Sequence, residues 1–206
     1  LGHLPAPLRR YYAEYKTEFR QVRRLVTKDE LIRAVKATDI VFVGDYHTLK
    51  QAQKTNIKLL RDIVPERPNV VIGVEMVLAS QQTMLDRYLA GAIDDAEFLR
   101  AIDWEGTWGF PWEPYRRLLA FAREHRLPVV ALNSGAYDDL HRLAARDRFA
   151  ARRIAGVVAS HPDALTYVVF GDLHVARRHL PRLVDAELAR RGRVARGGRR
   201  ERLWSR

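Results

Sequence analysis

Two histidines and a glutamate are the residues of this chain whose types and spacing point to chemistry. His47 closes the run Ile40-Val41-Phe42-Val43-Gly44-Asp45-Tyr46-His47, and His174 closes a near repeat, Tyr167-Val168-Val169-Phe170-Gly171-Asp172-Leu173-His174. Between them Glu75 ends Val70-Val71-Ile72-Gly73-Val74. Continuous apolar runs read as buried parallel strands, and a glycine after such a run lets the backbone turn without a Cβ clash. In open α/β sheets the ligand crevice lies beyond the carboxyl ends of the strands. Three strand ends can therefore aim His47, Glu75 and His174 into one cleft as its polar floor, with Gly44, Asp45, Gly171 and Asp172 as further ligand-binding candidates. Two neutral imidazoles and a carboxylate suit zinc, manganese or iron, the two aspartates orienting the rings from behind. Without metal, the same set suits acid/base hydrolysis of an ester or peptide: one imidazole takes a proton from water while Glu75 fixes its tautomer.

The elements that would hold these residues alternate along the chain. Apolar runs predict strands over 39–43, 69–74, 127–132 and 167–170. Three-to-four periodicity predicts helices over 11–25, 28–35, 48–64, 80–89, 94–102, 113–125, 137–145, 147–160 and 174–191, the last interrupted by Pro181. In the first of these, Tyr12, Tyr15, Phe19 and Val22 share one face. Strands alternating with helices predict an α/β domain with a mainly parallel central sheet and helices on both faces. The expected organisation is a helical extension over 1–38, the α/β domain over 39–189 and a basic, disordered tail over 190–206. Trp104, Trp108 and Trp112 fall in an insertion that either covers the core or walls the crevice. Tyr46, Trp112, Tyr115 and Asn133 are the further candidates to line it. His3, His125, His141, His161 and His179 read as solvated, on loops or helix surfaces.

Composition narrows the classes. The 206 residues carry 36 Lys+Arg against 25 Asp+Glu, a formal net charge of +11, yet the excess sits at the ends. Residues 29–185 hold 21 of each sign, whereas 1–28 hold seven basic and two acidic residues and 186–206 hold eight and two. Basic tails attract polyanions without specificity, so a dedicated nucleic-acid function is not expected. Cysteine is absent, which excludes disulfides, thiolate metal sites, cysteine nucleophiles and lipid attachment through cysteine within this sequence. No apolar stretch approaches the roughly 18 residues of a membrane helix. The segment 1–8 contains Pro5 and Pro7 and lacks the long apolar centre of a secretory signal. Neither a glycine-rich phosphate loop nor a G-x-S-x-G elbow occurs, which disfavours nucleotides and serine hydrolysis.

At these motifs the chain resembles the ChaN-like haem-binding-uptake family, within the wider group that includes the TIKI proteases and erythromycin esterases. The resemblance spans about 39–183. It rests on Gly44-Asp45-Tyr46-His47, Gly73-Val74-Glu75-Met76, Phe110-Pro111-Trp112-Glu113-Pro114-Tyr115, the run from Ala122 to Asn133, and Gly171-Asp172-Leu173-His174. It implies an α/β fold with a parallel central sheet and a shared site at His47, Glu75 and His174. It further implies a small-molecule ligand, haem or iron, a role in haem or iron uptake, and a homodimer, often in an exported or lipid-anchored setting. No tyrosine follows the second motif, so Tyr46, Tyr115 and Tyr137 are the candidate haem ligands. Both motifs carry Asp where Glu is often seen in the first.

Overall fold

Four apolar runs form the sheet: β1 (Ile40–Asp45), β2 (Val70–Leu78), β3 (Val129–Asn133) and β4 (Leu165–Gly171). The computed structural model describes residues 5–20, 26–135, 142–193 and 202–203. All strands are parallel, in the order β3-β2-β4-β1, and a two-residue strand, β5 (Arg202–Leu203), pairs with β1 at Phe42 and Val43. β4, the last long strand in sequence, therefore lies between β1 and β2.

The helices are α1 (Ala6–Phe19), α2 (Lys28–Lys36), α3 (Lys50–Ile63), α4 (Gln82–Leu89), α5 (Asp95–Ala101), α6 (Trp104–Thr107), α7 (Glu113–Glu124), α8 (Leu143–Ser160) and α9 (Leu180–Arg190). They divide between two faces, as side-chain alternation along the strands requires. Val41, Val43, Tyr167 and Val169 enter the apolar cluster that contains residues of α3 and α7. Ile40, Phe42, Val168 and Phe170 enter the cluster formed with α8 and α9. Near-continuous burial along β2 and β4 is the expected mark of a parallel sheet covered on both sides.

Local chemistry sets the boundaries. Thr27 caps α2 with a capping box to Glu30, and Asp94 caps α5 by accepting from the Glu97 N–H at 2.8 Å. Several boundaries differ from the sequence reading, among them α1, which begins at Ala6 ahead of the expected 11, and α9, which begins at Leu180 and not at 174. β2 runs past Glu75 to Leu78, with its pairing to β3 shifting register between Val74 and Leu78, so Glu75 lies inside a strand rather than at its end. Pro181 sits in the first turn of α9 instead of interrupting a helix, because there its missing N–H leaves no helical bond unmade. α8 begins at Leu143, ahead of the expected 147. The expected helix over 137–145 falls largely outside the described residues.

Candidate active site at the strand tips

The repeated motifs lie side by side, slipped by one residue. β1 and β4 pair with Asp45 opposite Gly171 and Gly44 opposite Phe170. Because side chains alternate with period two, this slip sends the two motif aspartates to opposite faces. An ideal Cβ on Gly44 would meet the Asp172 Cβ at 3.3 Å, so the first glycine makes room for the second acid. An ideal Cβ on Gly171 would meet Glu75 Oε2 at 3.1 Å, His47 Nε2 at 3.3 Å and His174 Cδ2 at 3.5 Å. The three sequence candidates thus stand around the end of β4.

His47 is held from the α3 and α7 side. Its Nδ1 lies 2.9 Å from Asp45 Oδ2, which also accepts from the Tyr115 hydroxyl at 3.1 Å. The Gln53 amide holds the His47 carbonyl at 3.2 Å. Trp108 meets the ring edge-on at 4.7 Å between centroids, and Phe110 lies at 4.8 Å. Burial of the ring opposes its charge. The Asp45 hydrogen bond and the charges of Glu75, Asp45 and Asp172 outweigh that, and the His47 pKa rises above its ordinary value. Tyr115 is buried, and desolvation together with the Asp45 charge pushes its phenol up, so it remains a neutral donor.

His174 and Glu75 are held from the α8 side. His174 Nδ1 lies 2.5 Å from Asp147 Oδ1. The Arg146 guanidinium donates to Glu75 Oε1 at 2.5 Å and, through Nε, to Asn133 Oδ1 at 3.1 Å. The Gly171 N–H donates to Glu75 Oε2 at 2.5 Å. Each imidazole Nε2 stands 4.0 Å from a different oxygen of Glu75. The carboxylate is therefore a charge-neutralised anchor between two rings whose Nδ1 atoms face aspartates.

Several candidates fall in other places than expected. Asp172 does not orient His174, because the register slip turns it away; it accepts from the Tyr15 hydroxyl, and burial pushes its carboxyl up despite that bond. Asn133 caps the turn after β3, accepting from the Ser134 and Gly135 N–H groups, while also holding Arg146. Trp112 stands away from the imidazoles: its indole N–H donates to Asp95 at 3.2 Å and its ring contacts Tyr88, Phe98 and Trp104. Trp108, four residues earlier, is the tryptophan beside His47. Tyr46 is 56% exposed, and its carbonyl accepts from the N–H of Leu49, which is also exposed. Tyr137, His3 and His141 lie outside the described residues. His179 is buried, not solvated, with its two nitrogens bonded to the Leu173 carbonyl and Glu14.

Arg146, Asp147, Tyr11 and His179 were missed in the sequence reading. The available signal was an Arg-Asp pair near the start of a long helix that follows a strand, since in α/β units helix starts lie near strand carboxyl ends.

The donor set does not fit a tetrahedral zinc ion as it stands. Two ligands of one ion, each at about 2 Å, stand roughly 3 Å apart. The 4.0 Å separations exceed that, and Glu75 already neutralises a buried guanidinium. Among the described residues no group of three His, Asp or Glu side chains is placed to hold a metal ion.

An all-parallel sheet covered by helices, with a buried polar cluster at its carboxyl end, defines an α/β domain of the open-sheet class. The chain belongs to the ChaN family of haem-binding uptake proteins in the Tiki superfamily, whose model matches residues 31–136. Its fold is similar to that of ChaN of Campylobacter jejuni, a structure of cofacial heme binding, with a TM-score of 0.63 at 12% identity, over 84% of this chain and 85% of that one. It is also similar to the C-terminal region of Pasteurella multocida toxin, in which a thiol-protease-like catalytic triad is described, with a TM-score of 0.56 at 10% identity, over 81% of this chain and 25% of the toxin chain. RRSP, a MARTX toxin effector domain from Vibrio vulnificus, gives a TM-score of 0.52 at 18% identity, over 80% of this chain and 33% of that one. These structural similarities establish a shared fold. Among curated proteins nothing matches. No helix among the described residues is long and apolar enough to cross a membrane.

Proposed function

We propose that this chain binds haem at the rim of the strand-tip site, as part of haem or iron uptake, with Tyr46 as the iron ligand. The observation that carries the reading is the exposure of Tyr46, in the chain between Asp45 and His47, next to exposed Leu49. A phenolate is an established haem ligand. Of the other candidates Tyr115 is buried on Asp45. The apolar Leu49 and the aromatic Tyr46 suit a porphyrin face, while His47 offers a polar contact with a pKa raised toward the charged form. Bound haem would supply the iron chemistry; the residues of the chain bind and orient it.

Haemin added to the purified protein is expected to shift the Soret band with saturation at a fixed stoichiometry, and Tyr46→Phe to abolish the shift with the fold intact. A spectrum of free haemin unchanged by stoichiometric protein ends this reading. Sedimentation with and without haemin tests the homodimer that the resemblance implies.

A second reading is favoured by one specific feature: two Asp–His pairs present their Nε2 atoms on either side of Glu75. An imidazole oriented through Nδ1 by a carboxylate is a general base at Nε2, so the site suits hydrolysis of an ester or peptide by acid/base catalysis. Glu75 anchors the arrangement. A panel of ester and peptide substrates, with and without chelator, tests it; a His47→Ala protein as active as the unaltered chain would remove it.

A further inference from the structure

α1 spends its contacts on the site, not on the apolar core. Tyr11 is its buried residue, yet it belongs to neither apolar cluster. Its hydroxyl donates to Asp147 Oδ2 at 3.0 Å, its ring stacks on His179 at 4.0 Å and meets His174 edge-on at 5.9 Å. Glu14 Oε2 accepts from His179 Nε2 at 2.7 Å. The Tyr15 hydroxyl donates to Asp172, and Glu18 accepts from the Arg177 N–H at 2.7 Å. Residues 11, 14, 15 and 18 share one helical face, and their partners all surround or adjoin His174.

A 14-residue helix with no side-chain hydrogen bond at its N-cap, and no acidic residue in its first turn, is marginal by itself. With Tyr11 its single buried side chain, it belongs at the low end of local stability, where opening does not require unfolding of the sheet. Meanwhile His174 and Glu75 are almost completely buried, and the docked helix lays the Tyr11 ring against His174.

We propose that α1 is a displaceable cover, with Tyr11 as its latch, and that the chain opens by release of this helix from Asp147, Asp172 and His179. The claim concerns access to His174 and is independent of which ligand enters.

The test uses diethyl pyrocarbonate, which modifies accessible imidazoles, on the full chain at fixed pH, with rates read peptide by peptide. Exposed His125 and His161 serve as internal standards. Tyr11→Ala is expected to raise the modification rate of His174 and His179 at least about tenfold, the factor that loss of about 1.4 kcal/mol of docking gives, and to leave the standards unchanged. Glu14→Gln combined with Glu18→Gln, which alters only partly exposed residues, is expected to give a smaller increase in the same two histidines; it decides the matter if Tyr11→Ala does not fold. Amide exchange in α1 is expected to be faster than in β4 at low denaturant concentration, where local opening and not global unfolding governs exchange. Unchanged His174 reactivity in the folded variants, or α1 amides that exchange only with the sheet, overturns the proposal. A haemin titration of the same variants separates this outcome from the haem reading, since the cover can fail while haemin still binds.

Discussion

Asp147, not the aspartate of the second motif, is the carboxylate that holds His174. Its Oδ1 lies 2.5 Å from Nδ1 of the ring, and the side chain is fully buried. An anionic acceptor on Nδ1 fixes the proton there and turns Nε2 toward Glu75. Asp147→Asn can present either an amide N–H or its oxygen to the ring, so the tautomer lock is lost. The expected result is a mixed His174 tautomer by nitrogen NMR and a loss of about 1.5–3 kcal/mol of stability, the range for hydrogen bonds to charged groups. A tautomer population equal to that of the unaltered chain would show that another group orients the ring.

Arg146 and Glu75 form an ion pair with both side chains at 4% exposure. Removing one partner leaves a buried charge without its counter-charge, which costs about 3–5 kcal/mol, whereas replacing both by apolar groups of similar volume is often neutral. Arg146→Ala is therefore expected to lower the urea midpoint sharply, and Arg146→Met with Glu75→Leu to recover most of the loss. A small effect of Arg146→Ala alone would show that Arg146 is not the group that holds the Glu75 carboxylate in place.

The sheet was legible because each strand contains an apolar run, although β2 continues through Glu75 to Leu78, and the repeated ending marked the tips around which the two imidazoles and Glu75 gather. His47, Glu75 and His174 followed from that pattern. The partners of these residues were not legible. Arg146 and Asp147 lie on α8, where charged residues read as solvated surface until the helix start is placed against the strand tips. The slip between the two motifs is a property of β1–β4 pairing, invisible in either motif alone, and it decides that Asp45 holds its histidine while Asp172 does not. His179 looked like a surface residue because α1, which buries it, is distant in sequence.

His47 carries a prediction about pH. Burial disfavours its charged form, but the Asp45 hydrogen bond and the charges of Glu75, Asp45 and Asp172 win, so its folded pKa lies above the unfolded one. A folded value that is raised gives stability fully present below the unfolded pKa, about 6.5, and lost as pH rises through the folded value. Unfolding free energy is thus expected to fall with rising pH across the neutral range, and the difference between the unaltered chain and His47→Gln to isolate this slope. Asp172, also raised, adds a fall of the same sign, beginning at the acidic values where carboxylates titrate. A difference curve that is flat across neutrality would show that His47 titrates as a free imidazole.

Two glycines give opposite expectations for the same substitution. Gly171→Ala places a Cβ against Glu75 Oε2, His47 Nε2 and His174 Cδ2 at 3.1–3.5 Å. Displacing these side chains is expected to cost about 1–3 kcal/mol, as overpacking does, and to weaken haemin binding. Gly156, inside α8, has nothing within 4 Å of an added Cβ. Gly156→Ala is expected to stabilise by roughly 0.5–1 kcal/mol through helix propensity. Thermal melting of the pair checks both; equal shifts would show that the strand-tip residues yield freely.

The place of β4 bears on how the molecule is made. β1 and β2 emerge early from the ribosome but do not pair with each other, since the strand that joins them is synthesised after β3 and α8. Until then the nascent chain carries apolar strand edges facing an empty slot, a state prone to association with chaperones or with other chains. The two halves of the imidazole pair come together in the same late insertion.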